Sequence, residues 1–288
     1  MVDAHLRYNS PDMRTRTHAL AVIHLVIITA IWGITFPLQK LVLQSASPFV
    51  YNAVRFWIAS LIAYFVFGKG RLKYGMILGV VLALSYASQT WGLSITHATK
   101  SGFITSLYIV VIPVFAYFLE NEKPSLMQTL SFFLAFVGLY LISGGIEGFN
   151  VGDLLTIGCA VGFALHVVLI TKLSKSFEEK DLVFSQCLMV AILNTMFGLS
   201  DTWRLSGYTL IIALFAAFFA TVYALWIQLK YQKKLGNNLT AMIYLCEPIF
   251  AALFSWLILG EHLSFVQFMG CSLMILAIFM SSLKIERE

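Results

Sequence analysis

Charge is scarce in this chain. Asp, Glu, Lys and Arg make up 11% of its 288 residues, where ordinary soluble domains carry about 25%. With 59% hydrophobic residues and a mean hydropathy of +0.85, a water-soluble globular fold is excluded. Cysteine is limited to Cys159, Cys187, Cys246 and Cys271, each inside an apolar run. They read as small buried hydrophobes, so neither disulfides nor metal ligation is expected. Catalytic signatures are missing as well: there is no Gly-x-Ser-x-Gly, no His-Glu-x-x-His and no nucleotide-binding loop. Asn150-Val-Gly-Asp153 comes near the Gly-x-Gly-Asp of intramembrane aspartyl proteases. It lacks the first glycine, and Asp153 is better placed as a helix N-cap. An enzyme, a cofactor and a nucleic-acid partner are therefore not expected.

What is present is a series of apolar runs of about 20 residues, the length that crosses a bilayer as a helix. Ten are expected: 19–38, 49–67, 74–94, 101–119, 125–144, 153–171, 182–199, 207–228, 239–259 and 264–283. The gaps are short and hold the punctuation, including Gly68 to Gly70, Glu120 to Pro124, Lys172 to Asp181 and Lys230 to Asn238. None is long enough for a soluble domain. A polar arm over 1–18 precedes the first run, which has no small-x-small cleavage site and reads as a retained helix. The fold class is an all-α membrane protein.

Basic residues fix the expected orientation. With the N-terminus cytoplasmic, fifteen fall on inside segments, among them Arg7, Arg14, Arg16, Lys172, Lys230, Lys284 and Arg287. Only Lys40, Lys100 and Arg204 fall outside, and Arg55 within a span completes the 19. A split this uneven satisfies the positive-inside rule and accounts for the net charge of +5. Both termini are expected in the cytoplasm.

The two halves of the chain also echo each other. Glu122-x-x-Ser125-x-x-Gln128 enters the fifth helix and Glu261-x-x-Ser264-x-x-Gln267 enters the tenth, 139 residues later. Arg55 aligns with Gln186, and Thr35 with His166, both at 131; Tyr108 aligns with Tyr244 at 136. The repeats are expected over 19–144 and 153–283. Five crossings per half is odd, so the second copy must be inverted. Inverted repeats put a binding site near the membrane midplane and allow alternating access.

Trp32-Gly33-x-Thr35-Phe36, Arg55-Phe56, Glu247-Pro248 and Gly260-Glu261-x-Leu263-Ser264, taken in this order, resemble the EamA-type drug/metabolite transporters. The likeness covers residues 19 to 284. It implies ten helices in two inverted repeats around a central cavity, the fifth and tenth lying outside the cavity-lining bundle. It also implies export of amino acids, other metabolites or drugs across the bacterial inner membrane. The first half departs from the pattern: Pro113 has no glutamate before it, and the usual Gly-Glu is Asn121-Glu122.

Glu247 stands at the centre of the functional expectation. A carboxylate inside a span costs a few kcal/mol, so it should face protein or water. It either couples substrate to protons or holds a neighbouring helix, with Pro248 shaping a kink. His166 is expected at similar depth and could share a proton or a substrate with it; the alternative is a hydrogen bond across a helix interface. His24 is a weaker candidate. Arg55 either attracts an anionic group such as a carboxylate, or it snorkels outward or bonds the carbonyls at a neighbouring helix end. On helices that the resemblance assigns to the pore, Trp32, Thr35, Tyr86, Gln89, Trp91, Tyr108, Tyr223, Trp226 and Tyr244 are candidate cavity residues for an amphipathic solute, with lipid-facing or interfacial belt positions the alternative for some of them. Gly75-x-x-x-Gly79 and Gly158-x-x-x-Gly162 read as helix contacts, and Lys100 as a mouth or loop lysine.

These readings converge on a secondary transporter, an exporter of small amphipathic metabolites such as amino acids. An uptake permease of the same fold is the nearest alternative; a non-transporting assembly protein or a membrane enzyme is more distant. The expected partners are a small-molecule substrate, membrane lipid and the proton, with the chain working as monomer or homodimer.

Overall fold

The computed structural model describes residues 11–142 and 149–282. The start of the N-terminal arm with Arg7, the middle of the chain with Gly144 and Gly145, and Lys284 and Arg287 lie outside the described residues. Among the described residues there are ten helical spans and no strand. They are α1 (Pro11–Val42), α2 (Pro48–Phe67), α3 (Leu72–Ile95), α4 (Ala98–Glu120), α5 (Leu126–Ile142), α6 (Val151–Ser174), α7 (Glu179–Phe197), α8 (Gly207–Leu235), α9 (Asn237–Leu259) and α10 (Phe265–Ser282). Eight are long and apolar enough to cross a membrane, and α5 and α10 are shorter apolar helices. Phe65, Phe118 and Phe265 are among many large apolar side chains on the outer surface. That is the arrangement of a multi-pass membrane protein, whose periphery meets lipid instead of water.

Two boundaries differ most from the sequence expectation. The first helix begins at Pro11, so part of the polar arm is helical, with no glycine or proline between 12 and 32 to stop it. At the other limit α8 runs to Leu235, drawing Lys230, Lys233 and Lys234 into the helix and leaving Gly236 as the whole link to α9. The lysines are tolerated because they snorkel. The Lys230 ammonium sits 4.6 Å from the Trp226 ring centre, and Lys233 donates to the Ser174 carbonyl at 2.9 Å. Gly236, at φ 78°, supplies the sharp turn that a chain of L side chains resists.

Packing recurs in exchanged pairs. α4 lies on α6 as α9 lies on α1, α3 lies on α6 as α8 lies on α1, and α2 meets α7 as α5 meets α10. Small residues let the backbones approach, as in other membrane bundles. A Cβ on Gly79 would stand 2.6 Å from the Cβ of Met189 and 2.9 Å from the Gln186 carbonyl, so α3 and α7 touch there. Gly162 meets Ser85 of α3 in the same way, whereas Gly158 faces open space and makes no helix contact.

The repeated Glu-x-x-Ser-x-x-Gln has a double purpose. Ser125 and Gln128 form a capping box at the start of α5, Ser125 N–H donating to Gln128 Oε1 (2.8 Å) and Gln128 N–H to Ser125 Oγ (3.2 Å). Ser264 and Gln267 repeat it for α10 at 2.8 and 3.3 Å. The glutamates reach into the other half. Glu122 accepts from the backbone N–H of Asn237 (2.9 Å) and Asn238 (2.8 Å) at the start of α9. Glu261 accepts from the N–H of Ala98 (3.2 Å) and Thr99 (3.0 Å) at the start of α4. A carboxylate there meets both free donors and the positive end of the helix. Asn121 and Gly260, the residues before the two glutamates, are both left-handed, at φ 54° and 69°. Asparagine is a residue that tolerates that conformation, so Asn121 reproduces the turn despite the departure in sequence.

Candidate functional site

α4 and α9 are each broken in mid-span, at Leu107 and Leu245. Pro248 lies three residues beyond Leu245 and cannot donate to the Tyr244 carbonyl, which accounts for that break. Pro113 sits too far past Leu107 to act in the same way. The breaks bring Tyr108 and Glu247 together: Tyr108 Oη donates to Glu247 Oε2 at 2.6 Å. These residues are 139 apart in the chain, the spacing of the two glutamate caps, Glu122 and Glu261. Counted from those caps, Tyr108 falls level with Glu247, three residues from the pairing with Tyr244 read from sequence.

Around this contact lies a cavity walled by α1, α2, α3, α4, α6, α8 and α9. It holds Trp32, Thr35, Arg55, Tyr86, Gln89, Tyr108, His166, Tyr244 and Glu247 from the sequence expectation. Trp91 and Tyr223 are not on its wall. Trp91 is 46% exposed and edge-on to Phe49, and Tyr223 packs beside Trp226, which is also off the wall. His24 lies elsewhere, bonded to the Leu20 carbonyl in its own helix. α5 and α10 contribute nothing to the wall.

The polar groups on the wall are held in place. Gln186 Nε2 donates to the Leu182 carbonyl, so Oε1 faces His166 and accepts from its Nε2 at 2.8 Å. His166 and Glu247 thus have separate partners. Tyr244 Oη accepts from Gln228 Nε2 at 3.1 Å and donates to Gln232 Oε1 at 3.3 Å. Gln89 Nε2 reaches Thr105 Oγ1 at 3.4 Å. Arg55, 1% exposed, donates from Nε to Thr221 Oγ1 at 3.0 Å and does not snorkel outward.

Sequence reasoning expected Tyr223 and Trp226 of α8 on the wall and missed the residues of that helix that do line it. Between Phe218 and Tyr223, and again between Gln228 and Gln232, that helix opens into π turns. The Ala220 carbonyl accepts from Trp32 Nε1 at 3.2 Å and from Arg55 Nη2 at 3.4 Å. Thr221, Gln228 and Phe163 join the wall. A π bulge has no composition signature, but Gln228 is a polar residue within an apolar run and could have been found.

The cavity volume is about 60 Å³. One water needs roughly 10–15 Å³ by this measure, so the space holds a handful of waters and must widen to take a metabolite. Both ends of the bundle are tied. At one, Lys100 pairs with the fully buried Asp153 at 2.7 Å, so Lys100 is a staple between α4 and α6, not a mouth or loop lysine. Asp153 is the third residue of a capping box whose N-cap is Asn150. Beside it Lys40 donates to the carbonyls of Leu93 (2.9 Å) and Thr96 (2.6 Å). At the other end Lys175 pairs with Glu120, and Lys172 donates to the Leu119 carbonyl at 3.3 Å.

Such a bundle, with a buried polar cavity at the meeting of two matching halves, is that of a small-molecule transporter and not an enzyme. Two successive segments, 19–144 and 150–283, match the model of the EamA-like transporter family, and the chain belongs to that family. An uncharacterized transporter of Archaeoglobus fulgidus is 38% identical over 91% of this chain and 85% of its own length. A Salmonella typhimurium protein named "Probable amino-acid metabolite efflux pump" is 22% identical over 89% of this chain and 92% of its own. A solved crystal structure shares the fold at a TM-score of 0.75 and 18% identity, over 91% of this chain and 98% of its own. A small-molecule substrate and a lipid surround follow from the family.

Proposed function

We propose that the chain exports small amphipathic metabolites, amino acids foremost, across the bacterial inner membrane, both termini facing the cytoplasm. The repeats 19–144 and 153–283 rock against each other around the cavity, and proton movement at Glu247 drives the cycle. The observation that carries this reading is the cavity itself. Aromatic walls, one carboxylate and one guanidinium meet at the seam between the halves, with a tied polar cluster at each end. Amphipathic solutes match such a wall: rings take the apolar body and the few polar groups fix orientation. The name of the Salmonella typhimurium relative supports outward movement of amino-acid metabolites.

Proteoliposomes test this directly. Labelled amino acids should cross with saturable kinetics, faster when a pH gradient is imposed, and Glu247→Gln should remove the gradient's effect. Gradient-dependent flux that survives Glu247→Gln sinks the coupling role. If no solute moves, export is wrong.

A further inference from the structure

Arg55 stands out among the buried charges. Asp153, the other fully enclosed one, is paired with Lys100. Arg55 has no ion-pair partner among the described residues, although it is 1% exposed. A guanidinium has five N–H donors in a planar fork. Here Nε is well spent on Thr221 Oγ1 at 3.0 Å. Nη2 makes only two long contacts, to Tyr86 Oη and the Ala220 carbonyl, each at 3.4 Å. Nη1 is buried with no hydrogen-bond partner among the described residues. A side chain in that state costs several kcal/mol unless something compensates it. The rings of Tyr86 and Phe56 lie 4.8 and 5.2 Å from the guanidinium carbon and compensate in part. Arg55 is one of the residues that line the cavity.

We infer that Arg55 is the anion-recognition point of the cavity, taking a substrate carboxylate on its Nη1 edge. Planar, two-point pairing of this kind is what guanidinium offers and ammonium does not. The ligand class is a monocarboxylate. Among the described residues Arg55 is the only lysine or arginine on the wall, and Glu247 shares the space, so a phosphate or a dicarboxylate would bring a second negative charge with no second Lys or Arg there to meet it. The inference rests on the transport reading for its biological sense but not for its test. As a mere strut between α2 and α8, Arg55 would have no bearing on whether a solute carries a carboxylate.

The test uses purified full-length protein in detergent and thermal stabilisation by matched trios: L-amino acids and phenylacetate, each with its methyl ester and its amide. The acids should stabilise, and their esters and amides should need at least about tenfold higher concentration, as for sites built around a polar group the analogue lacks. Arg55→Gln should erase that preference, Arg55→Lys should weaken it, and Trp91→Phe, off the cavity wall, should keep it. If Arg55→Gln does not fold, Arg55→Lys set against Trp91→Phe carries the comparison. Esters that stabilise as well as acids, a preference that survives in Arg55→Gln or is unweakened in Arg55→Lys, or a folded wild type indifferent to every acid would each overturn the assignment. Saturable flux of acid and ester alike would sink Arg55 recognition and leave transport standing. An intact acid preference without flux would do the reverse.

Discussion

The two halves keep the same residue at one pair of matching places and different residues at another. Glu122 and Glu261 cap the broken helix of the opposite half in the same way. Tyr108 and Glu247, at the matching mid-span positions, differ and touch each other. Duplication explains the first pair, because a cap serves the fold wherever it occurs. Divergence explains the second. A cavity lined by two copies of one carboxylate would set like charges face to face, whereas a phenol and a carboxylate make a hydrogen bond. The lesson is that the fold's demands stay symmetric while the chemistry of the site does not.

The comparison breaks most visibly at the caps. Glu122→Ala and Glu261→Ala each strand two backbone donors that had a charged acceptor, a loss of about 2–3 kcal/mol apiece. The two variants should fall in melting temperature by similar amounts in a thermal-shift assay of purified protein. A large fall in one and none in the other would show that the caps are not equivalent.

A smaller effect separates the halves at the helix starts. Lys100 and Asp153 pair at one end, while the positions that match them at spacings of 139 and 131, Leu239 and Val22, are apolar and pack on the main core. Lys100→Ala leaves a carboxylate with no exposed surface short of its cation, at about 2 kcal/mol. Asp153→Asn keeps the cap and leaves Lys100, 14% exposed, able to reach water. It should cost under about 1 kcal/mol. Equal losses in the two variants would mean that burial of the carboxylate does not set the scale.

Much of this was legible in advance, and the reason is the bilayer. Hydropathy and length are enough to find spans when every apolar run must cross lipid, and Trp32, Arg55, His166 and Glu247 were conspicuous as polar or aromatic groups within such runs. What the pattern could not carry was rotation. Trp91 has the composition of a cavity residue but sits on the outer face of α3, and Tyr223 lies on the rim of α8 because a π turn shifts its register. The end of α8 was misplaced for a related reason: Lys230, Lys233 and Lys234 look like a loop, yet their heads leave the helix while their stems remain in it. The role of Glu122 and Glu261 was hidden because a repeat in sequence says nothing of which half each copy serves.

The finest distinction is drawn at the seam. Tyr108→Phe deletes one hydroxyl and keeps the ring, which lies 6.1 Å from that of Tyr244 and 6.4 Å from that of Phe163. The Glu247 carboxylate stays in place and still exchanges a proton, but it loses the donor that fixed Oε2. One hydrogen bond to a buried acceptor is worth about 1 kcal/mol net, which corresponds to roughly a fivefold change in rate or affinity. Flux through Tyr108→Phe should therefore drop by about that factor while its response to a pH gradient survives. Glu247→Gln should lose the response altogether. If the phenylalanine variant also loses its gradient response, the tyrosine belongs to the proton path itself, and the division between a supporting half and an active half at this seam is wrong.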